Sequence, residues 1–160
     1  MRMLPLAVIV GAFACGTDLS AQDKPLYTVE AMLRRIGAAT AVADANNCVL
    51  PDKAERPVNT TVTFEGRTFR CVEVLDENLQ RRGVAWSPAK ATYTRNVMLE
   101  RIRPGSAPIT DPADAVTCVL TGKPESLVDS TVAVDGRTYR CVEVADPNFQ
   151  RRGVAWTPAS

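Results

Sequence analysis

Alternating apolar and polar positions occur twice along the chain, in TVTFEGRTFRCVEV (61–74) and in TVAVDGRTYRCVEV (131–144). Alternation with a period of two predicts a β-strand that buries one face. Each stretch contains a two-residue break, Glu65-Gly66 or Asp135-Gly136, which is typical of a tight hairpin turn. A VAW segment follows each hairpin, at 84–86 and 154–156, and predicts a third short strand. The pattern therefore predicts a three-stranded antiparallel sheet in each half of the chain.

A helical pattern precedes each predicted sheet. In YTVEAMLRRI (27–36) the apolar residues recur at helical spacing, and Thr28 and Gly37 are suitable residues to begin and end a helix. YTRNVMLERI (93–102) repeats the pattern, with Thr94 before the helix and Pro104-Gly105 after it. We therefore expect one short helix in each half.

The two halves are copies of one unit. Residues 48–89 and 118–159 align without a gap and are identical at 27 of 42 positions. The fold class predicted from this duplication is α+β, with two tandem small modules that each contain a short helix, a three-stranded antiparallel sheet and one disulfide. The predicted boundaries are 22–89 for the first module and 90–160 for the second, called below the first and second repeats.

The chain begins MRMLPLAVIVGAFACGTDLSAQDK, in which one arginine precedes a short apolar run and small residues. This pattern is typical of a secretory signal peptide. We predict a signal at 1–21 with cleavage after Ala21, and the alternative is cleavage before Cys15, which would then be lipidated. No second apolar run is long enough to span a bilayer. The predicted location is therefore periplasmic or secreted, with no transmembrane segment in the mature chain.

Four cysteines remain after removal of the predicted signal, and an even number in an exported chain indicates disulfides. Because Cys48 and Cys71 have the same spacing as Cys118 and Cys141, one bridge within each repeat is the economical pairing. Each bridge would close a loop of about 24 residues, a constraint worth roughly 3 kcal/mol.

The composition argues against catalysis and against several ligands. The chain has no histidine, no closely spaced cysteine pair and no glycine-rich phosphate loop, so we predict no enzyme activity, no cofactor and no metal. A formal net charge of +1 gives no argument for nucleic acid as a partner. Glu73 is expected to pair with a cross-strand arginine such as Arg67, and Asp76 to hold its loop by Asx turns.

The heptapeptide QRRGVAW occurs at both 80–86 and 150–156. Arginine and amide side chains suit hydroxyl, sulfate and carboxylate groups, so the repeated loop is a candidate binding surface. Its identity in the two repeats is equally well explained by a recent duplication. Leu79 and Phe149 differ at a position that we expect to be solvated. The tryptophans are either core residues or part of the surface. The candidate ligand-binding residues are Asn78, Gln80, Arg81, Arg82, Trp86, Asn148, Gln150, Arg151, Arg152 and Trp156.

The segment VTFEGRTFRCVEV…GVAWSPA resembles the core of type-3 chitin-binding modules, in which a short strand, a polar-Gly turn and an aromatic strand precede a variable loop and a tryptophan. It is also similar to small cysteine-paired periplasmic domains of unknown function. The first resemblance covers about 30 residues per repeat and implies polysaccharide binding, with Phe69, Tyr139, Trp86 and Trp156 as the matching aromatic residues.

The sequence thus predicts an exported tandem-repeat protein without catalytic activity that binds an envelope or extracellular polysaccharide. The alternative is a protein-interaction or structural subunit of an envelope complex, in which the same loops contact an envelope protein.

Overall fold

The computed structural model describes residues 29–36 and 44–159. The predicted signal peptide, Cys15, Thr28 and Gly37 lie outside these residues. The helices are α1 (Val29–Ile36) and α2 (Arg95–Arg101). The strands of the first repeat are β1 (Asn47–Val49), β2 (Glu55–Pro57), β3 (Thr61–Phe64), β4 (Arg67–Leu75) and β5 (Arg81–Pro88). Those of the second are β6 (Thr117–Cys118), β7 (Ser126–Leu127), β8 (Thr131–Val134), β9 (Arg137–Ala145) and β10 (Arg151–Pro158), preceded by a 3-10 turn at Pro112–Asp114.

The predicted hairpins are confirmed. β3 pairs with β4 around Glu65-Gly66, and β8 pairs with β9 around Asp135-Gly136. Both residues of each turn have positive φ, 48° and 75° in the first repeat and 49° and 75° in the second. A type I′ turn needs positive φ at both central residues, and its twist matches that of the flanking strands. The local signal in the sequence was therefore sufficient to fix these two hairpins.

The predicted disulfides are also confirmed, as Cys48–Cys71 and Cys118–Cys141. Each bridge ties the long strand of a hairpin, β4 or β9, to the short strand β1 or β6. β1 pairs with β2 and β6 with β7 in two small sheets that the sequence pattern did not predict. The bridge therefore attaches a small sheet to the main sheet within each repeat.

The long strands of the two repeats form a single six-stranded sheet. β4 pairs with β5, and β9 pairs with β10. The repeats are joined where Trp86 of β5 lies opposite Ala145 of β9 and where Trp156 of β10 lies opposite Leu75 of β4. These two junctions use equivalent residues, so the repeats have an approximate two-fold relationship and the four long strands are paired in a ring.

The predicted fold class is therefore wrong: the chain is mostly β and its repeats share one sheet instead of forming two α+β modules. The physical reason lies in the short strand β3, which pairs only with the first four residues of β4. The far end of β4 keeps an open edge, and unpaired backbone groups at such an edge favour pairing with another strand. β10 pairs there at Leu75.

The loop before each closing strand carries one residue into contact with the other repeat. Phe149 is 8% exposed and joins the core around Trp86 in the first repeat. Its ring centroid lies 4.7 Å from that of Phe64 and 4.6 Å from that of Phe69. The equivalent Leu79 is partly buried against the core around Trp156. The expectation that this position is solvated is wrong, because each loop completes the core of the partner repeat.

The two helices share an apolar sequence but pack differently. Met32, Leu33 and Ile36 of α1 are buried in a central cluster with Val74, Ala85, Val144 and Ala155 of both repeats. A Cβ on Gly153 would lie only 2.7 Å from the Met32 Sδ, so α1 contacts the β10 backbone closely.

α2 begins as predicted, with the Thr94 hydroxyl accepting a hydrogen bond from the Val97 amide at 3.5 Å. It buries Met98 alone among its residues, while Val97 and Leu99 are exposed. The expectation that the two repeats use equivalent helices is therefore wrong: α1 covers the region between the repeats, and α2 lies at the surface of the second.

We expect Phe149→Ala to lower the free energy of unfolding by about 3–5 kcal/mol, because it removes a large ring from the core of the opposite repeat. Urea denaturation followed by tryptophan fluorescence measures this loss. Leu79→Ala should cost less, since Leu79 is only partly buried. Two separate unfolding transitions in the wild-type chain, or a loss below about 1 kcal/mol, would contradict the shared core.

Candidate functional site

The first arginine of each QRRG loop points back into the fold. Arg81 Nε lies 3.0 Å from Glu73 Oε1, and the same guanidinium donates a hydrogen bond to the Ala45 carbonyl. Arg151 Nε lies 3.2 Å from Glu143 Oε1, and its guanidinium donates a hydrogen bond to the Ala115 carbonyl. The expected partner of Glu73, Arg67, instead donates to the Thr92 hydroxyl at 3.3 Å. Both arginines therefore hold the loop to the strand before it.

The second arginine of each loop is also used internally. Arg82 Nε lies 2.7 Å from Asp76 Oδ2, and Asp76 Oδ1 accepts hydrogen bonds from the Asn78 and Gln80 amides at 2.8 and 2.9 Å. Asp146 makes the same set of contacts with Arg152, Asn148 and Gln150. A buried carboxylate therefore organises each loop by the expected Asx turns.

The tryptophans lie in the core. Trp86 and Trp156 are each 1% exposed, and their indole Nε1 groups donate to the Val49 and Val119 carbonyls at 2.8 and 2.9 Å. Neither ring has an exposed face for a ligand in this conformation. Of the predicted site residues, Arg82 and the four amides remain exposed, the amides being Asn78, Gln80, Asn148 and Gln150. The structure thus assigns internal contacts to most of the candidate surface and does not gather it into one cleft.

A cleft of about 740 Å³ lies instead between the repeats. Its lining is drawn from equivalent positions of both halves, and we call it the inter-repeat cleft. The first repeat contributes Val58, Asn59, Thr61, Thr68, Arg70, Val72, Glu73, Ser87, Pro88 and Ala89, and Ala91 follows from the joint between the repeats. The second contributes Val128, Asp129, Thr131, Arg140, Val142, Glu143, Thr157, Pro158 and Ala159. Hydroxyl, amide, carboxylate and guanidinium groups border this cleft, and no aromatic residue lines it among those described.

Two arginines at equivalent positions provide the cationic groups of the cleft. Arg70 on β4 donates to Asn59 Oδ1 at 2.7 Å, and Arg140 on β9 donates to Asp129 Oδ1 at 2.6 Å. Asn59 and Asp129 both have left-handed backbones, with φ of 75° and 71°. Short polar side chains tolerate this conformation, so the same turn orients both arginines.

The joint between the repeats covers one of the two equivalent glutamates of the cleft. The Thr92 amide donates to Glu143 Oε2 at 2.9 Å, and the Glu143 side chain is 1% exposed. The equivalent Glu73 side chain is 35% exposed. The joint therefore covers the Glu143 carboxylate and leaves the Glu73 carboxylate accessible.

Sequence reasoning did not select Arg70 or Arg140 as a site residue. The sequence did contain a clue, because Arg70 and Arg140 directly precede the disulfide cysteines Cys71 and Cys141 in their strands. Successive side chains of a strand point to opposite faces of the sheet, so both arginines face away from the disulfide core. What the pattern could not show is that these faces of the two repeats meet.

A second cleft, of about 840 Å³, lies beside α1 and the segment after α2. Ile102, Ile109 and Val119 contribute apolar surface to it, and Arg103 and Lys123 contribute charge. We call it the lateral cleft. Unlike the inter-repeat cleft, it is not built from equivalent positions of the two repeats.

The described residues contain no group of three or more His, Cys, Asp or Glu side chains arranged to hold a metal ion. Neither α1 nor α2 has the length and apolar composition that a membrane-crossing helix needs. Comparison with protein-family models, with curated proteins and with solved structures finds no match for this chain. The resemblance to type-3 chitin-binding modules therefore stays a sequence-based expectation.

We expect Arg151→Ala to lower the free energy of unfolding by about 3–5 kcal/mol, because it leaves the buried Glu143 carboxylate without its cation. Arg81→Ala is the matched comparison and should cost less, since Arg81 and Glu73 are 26% and 35% exposed. Replacing the buried pair by Met and Leu should recover most of the loss. Thermal unfolding of the four proteins checks this, and equal losses for Arg81→Ala and Arg151→Ala would contradict it.

We expect Asp76→Asn to destabilise the fold by about 1–3 kcal/mol, because its amide would face the Arg82 guanidinium. Burial alone would raise the pKa of Asp76, but hydrogen bonds from the Gln80 and Asn78 amides and the charge of Arg82 lower that pKa below its usual value.

The lowered pKa makes the contribution of Asp76 complete above about pH 4 and lost as the pH falls through its folded value. Urea denaturation between pH 2 and pH 7 should therefore show a weaker acid dependence in Asp76→Asn than in the wild-type protein. Glu77→Gln, at the neighbouring carboxylate, is the control and should leave the dependence unchanged.

Proposed function

We propose that the chain is an exported binding protein without catalytic activity and that its ligand, an envelope or extracellular polysaccharide, lies in the inter-repeat cleft. The observation that carries this proposal is the construction of the cleft from equivalent residues of both repeats. A site that offers the same side chains twice suits a polymer whose chemical groups also repeat along its length. The two disulfides are typical of proteins in an oxidising compartment.

The polar lining supports a hydroxyl-rich ligand. Thr61, Thr68 and Thr131 offer hydroxyl groups, and the arginine forks offer several N–H donors. Val72 and Val142 add apolar surface between them. Because no aromatic residue lines the cleft in the part of the chain that is described, recognition there depends on hydrogen bonds and charge more than on ring stacking. The exposed amides of the QRRG loops are a further set of groups for such a polymer.

A protein partner is the second candidate, and one observation favours it. Val97, Leu99 and Ile102 of the α2 segment are 40–44% exposed, and Val119, which lines the lateral cleft with Ile102, is 36% exposed. Large exposed apolar side chains that line a cleft, as Ile102 and Val119 do, are typical of protein–protein contacts. The sequence-equivalent residues Leu33 and Ile36 are buried in the protein. In this alternative the α2 surface and the lateral cleft contact an envelope protein.

We expect Ala89→Trp to weaken polysaccharide retention by at least about tenfold, because an indole at this exposed lining position fills part of the cleft. Affinity electrophoresis against a panel of neutral and acidic polysaccharides measures the retention. Ala133→Trp is the control, since Ala133 is exposed on β8 and does not line the cleft.

Retention that is unaffected by Ala89→Trp would exclude the inter-repeat cleft as the site. No retention of any polysaccharide, together with a stoichiometric envelope protein that is lost on Leu99→Arg, would establish the second candidate instead.

A further inference from the structure

One difference between the repeats changes the charge of the inter-repeat cleft. At the position that contacts the cleft arginine, the first repeat has Asn59 and the second has Asp129. The two residues have nearly the same backbone φ, and each side chain accepts a hydrogen bond from the equivalent arginine, at 2.7 Å for Asn59 and 2.6 Å for Asp129. The hydrogen bond is therefore kept, while its acceptor is neutral in one repeat and charged in the other.

The two arginines therefore differ in whether a nearby carboxylate balances their charge. Asp129 forms an ion pair with Arg140, whereas Arg70 has no carboxylate within ion-pair distance among the described residues. Glu73, which also lines the cleft, is already paired with Arg81 at 3.0 Å. Arg70 thus retains its positive charge in the cleft.

Arg70 also has donors to spare. A guanidinium group has five N–H donors, and the contact with Asn59 uses one nitrogen of Arg70. Its fork geometry matches a carboxylate or a sulfate group, which it can bind through two parallel hydrogen bonds. Arg70 lines the cleft and is half-buried there, so part of its side chain stays accessible to a ligand.

We infer that Arg70 is the anion-binding residue of the inter-repeat cleft and that the ligand carries a carboxylate or sulfate group at this end. The inference rests on the proposed function in placing the ligand in this cleft. The cleft is built from equivalent residues, yet among the residues that the structure describes only one end has an uncompensated cation. A polymer with acidic residues therefore binds with its acidic group toward the first repeat.

The test exchanges the two acceptors. Asn59→Asp should neutralise Arg70 as Asp129 neutralises Arg140, and Asp129→Asn should free Arg140. Asn and Asp both tolerate left-handed backbone, so both variants keep the turn. Arg70→Gln and Arg140→Gln remove each cation, and thermal unfolding confirms that all four variants fold.

Polygalacturonate is the acidic probe, and fully methyl-esterified pectin is the neutral probe with the same backbone. We expect polygalacturonate to bind the wild-type protein in a salt-sensitive manner and the esterified polymer to bind at least tenfold more weakly. Arg70→Gln and Asn59→Asp should each weaken polygalacturonate binding about ten- to hundredfold. Arg140→Gln should change it less than threefold, and Asp129→Asn should strengthen it. Equal effects of the two arginine variants, or no effect of Asn59→Asp, would overturn the inference.

Inorganic sulfate separates this inference from the proposed function. Sulfate titration followed by the NMR signals of the arginine side chains should shift Arg70 and not Arg140, and Asn59→Asp should abolish the shift. This result without retention of any polysaccharide would support the anion site and overturn the polysaccharide function. Retention of neutral and acidic polymers alike, with no sulfate effect at Arg70, would support the function and overturn the anion site.

Discussion

The contact of Phe149 with the aromatic core of the first repeat is the interaction on which the rest of the structure depends. Its ring lies within 5.6 Å of the Trp86 ring, measured between centroids, and it also packs against Phe64 and Phe69. Because the loop that carries Phe149 is the loop between β9 and β10, this insertion holds the second hairpin against the first. The strand junctions at Leu75 and Ala145 then pair the hairpins edge to edge.

This insertion of each loop into the opposite repeat gives the repeated loop sequence a structural role. Asp76 and Asp146 organise the loop backbone, and the arginines fix it to the preceding strand. The tip is thereby positioned so that Leu79 or Phe149 faces the opposite repeat, each with a left-handed backbone of φ 59° or 60°. A loop with this internal bonding needs both arginines whatever it binds, so their repetition is not by itself a signal of ligand contact.

Local features of the fold could be predicted from the sequence, and cooperation between the repeats could not. The turns at Glu65-Gly66 and Asp135-Gly136, the disulfides and the cap at Thr94 each depend on a few neighbouring residues or on the equal spacing of cysteines. Alternation shows that β4 has two faces but not which strand pairs with its far edge. The inter-repeat cleft could not be predicted for the same reason, since Arg70 and Arg140 come to line one cleft only when the strand edges of the two repeats pair.

The joint between the repeats has a consequence for how the inter-repeat cleft can change. Two separate subunits related by true symmetry would carry every substitution in both halves at once. Here one chain encodes both halves, and Thr92 of the joint covers Glu143 while Glu73 stays accessible. A substitution such as the one that separates Asn59 from Asp129 can therefore alter one half and leave the other intact. Fusion of the repeats gives the molecule the freedom to turn a symmetric groove into a directional one.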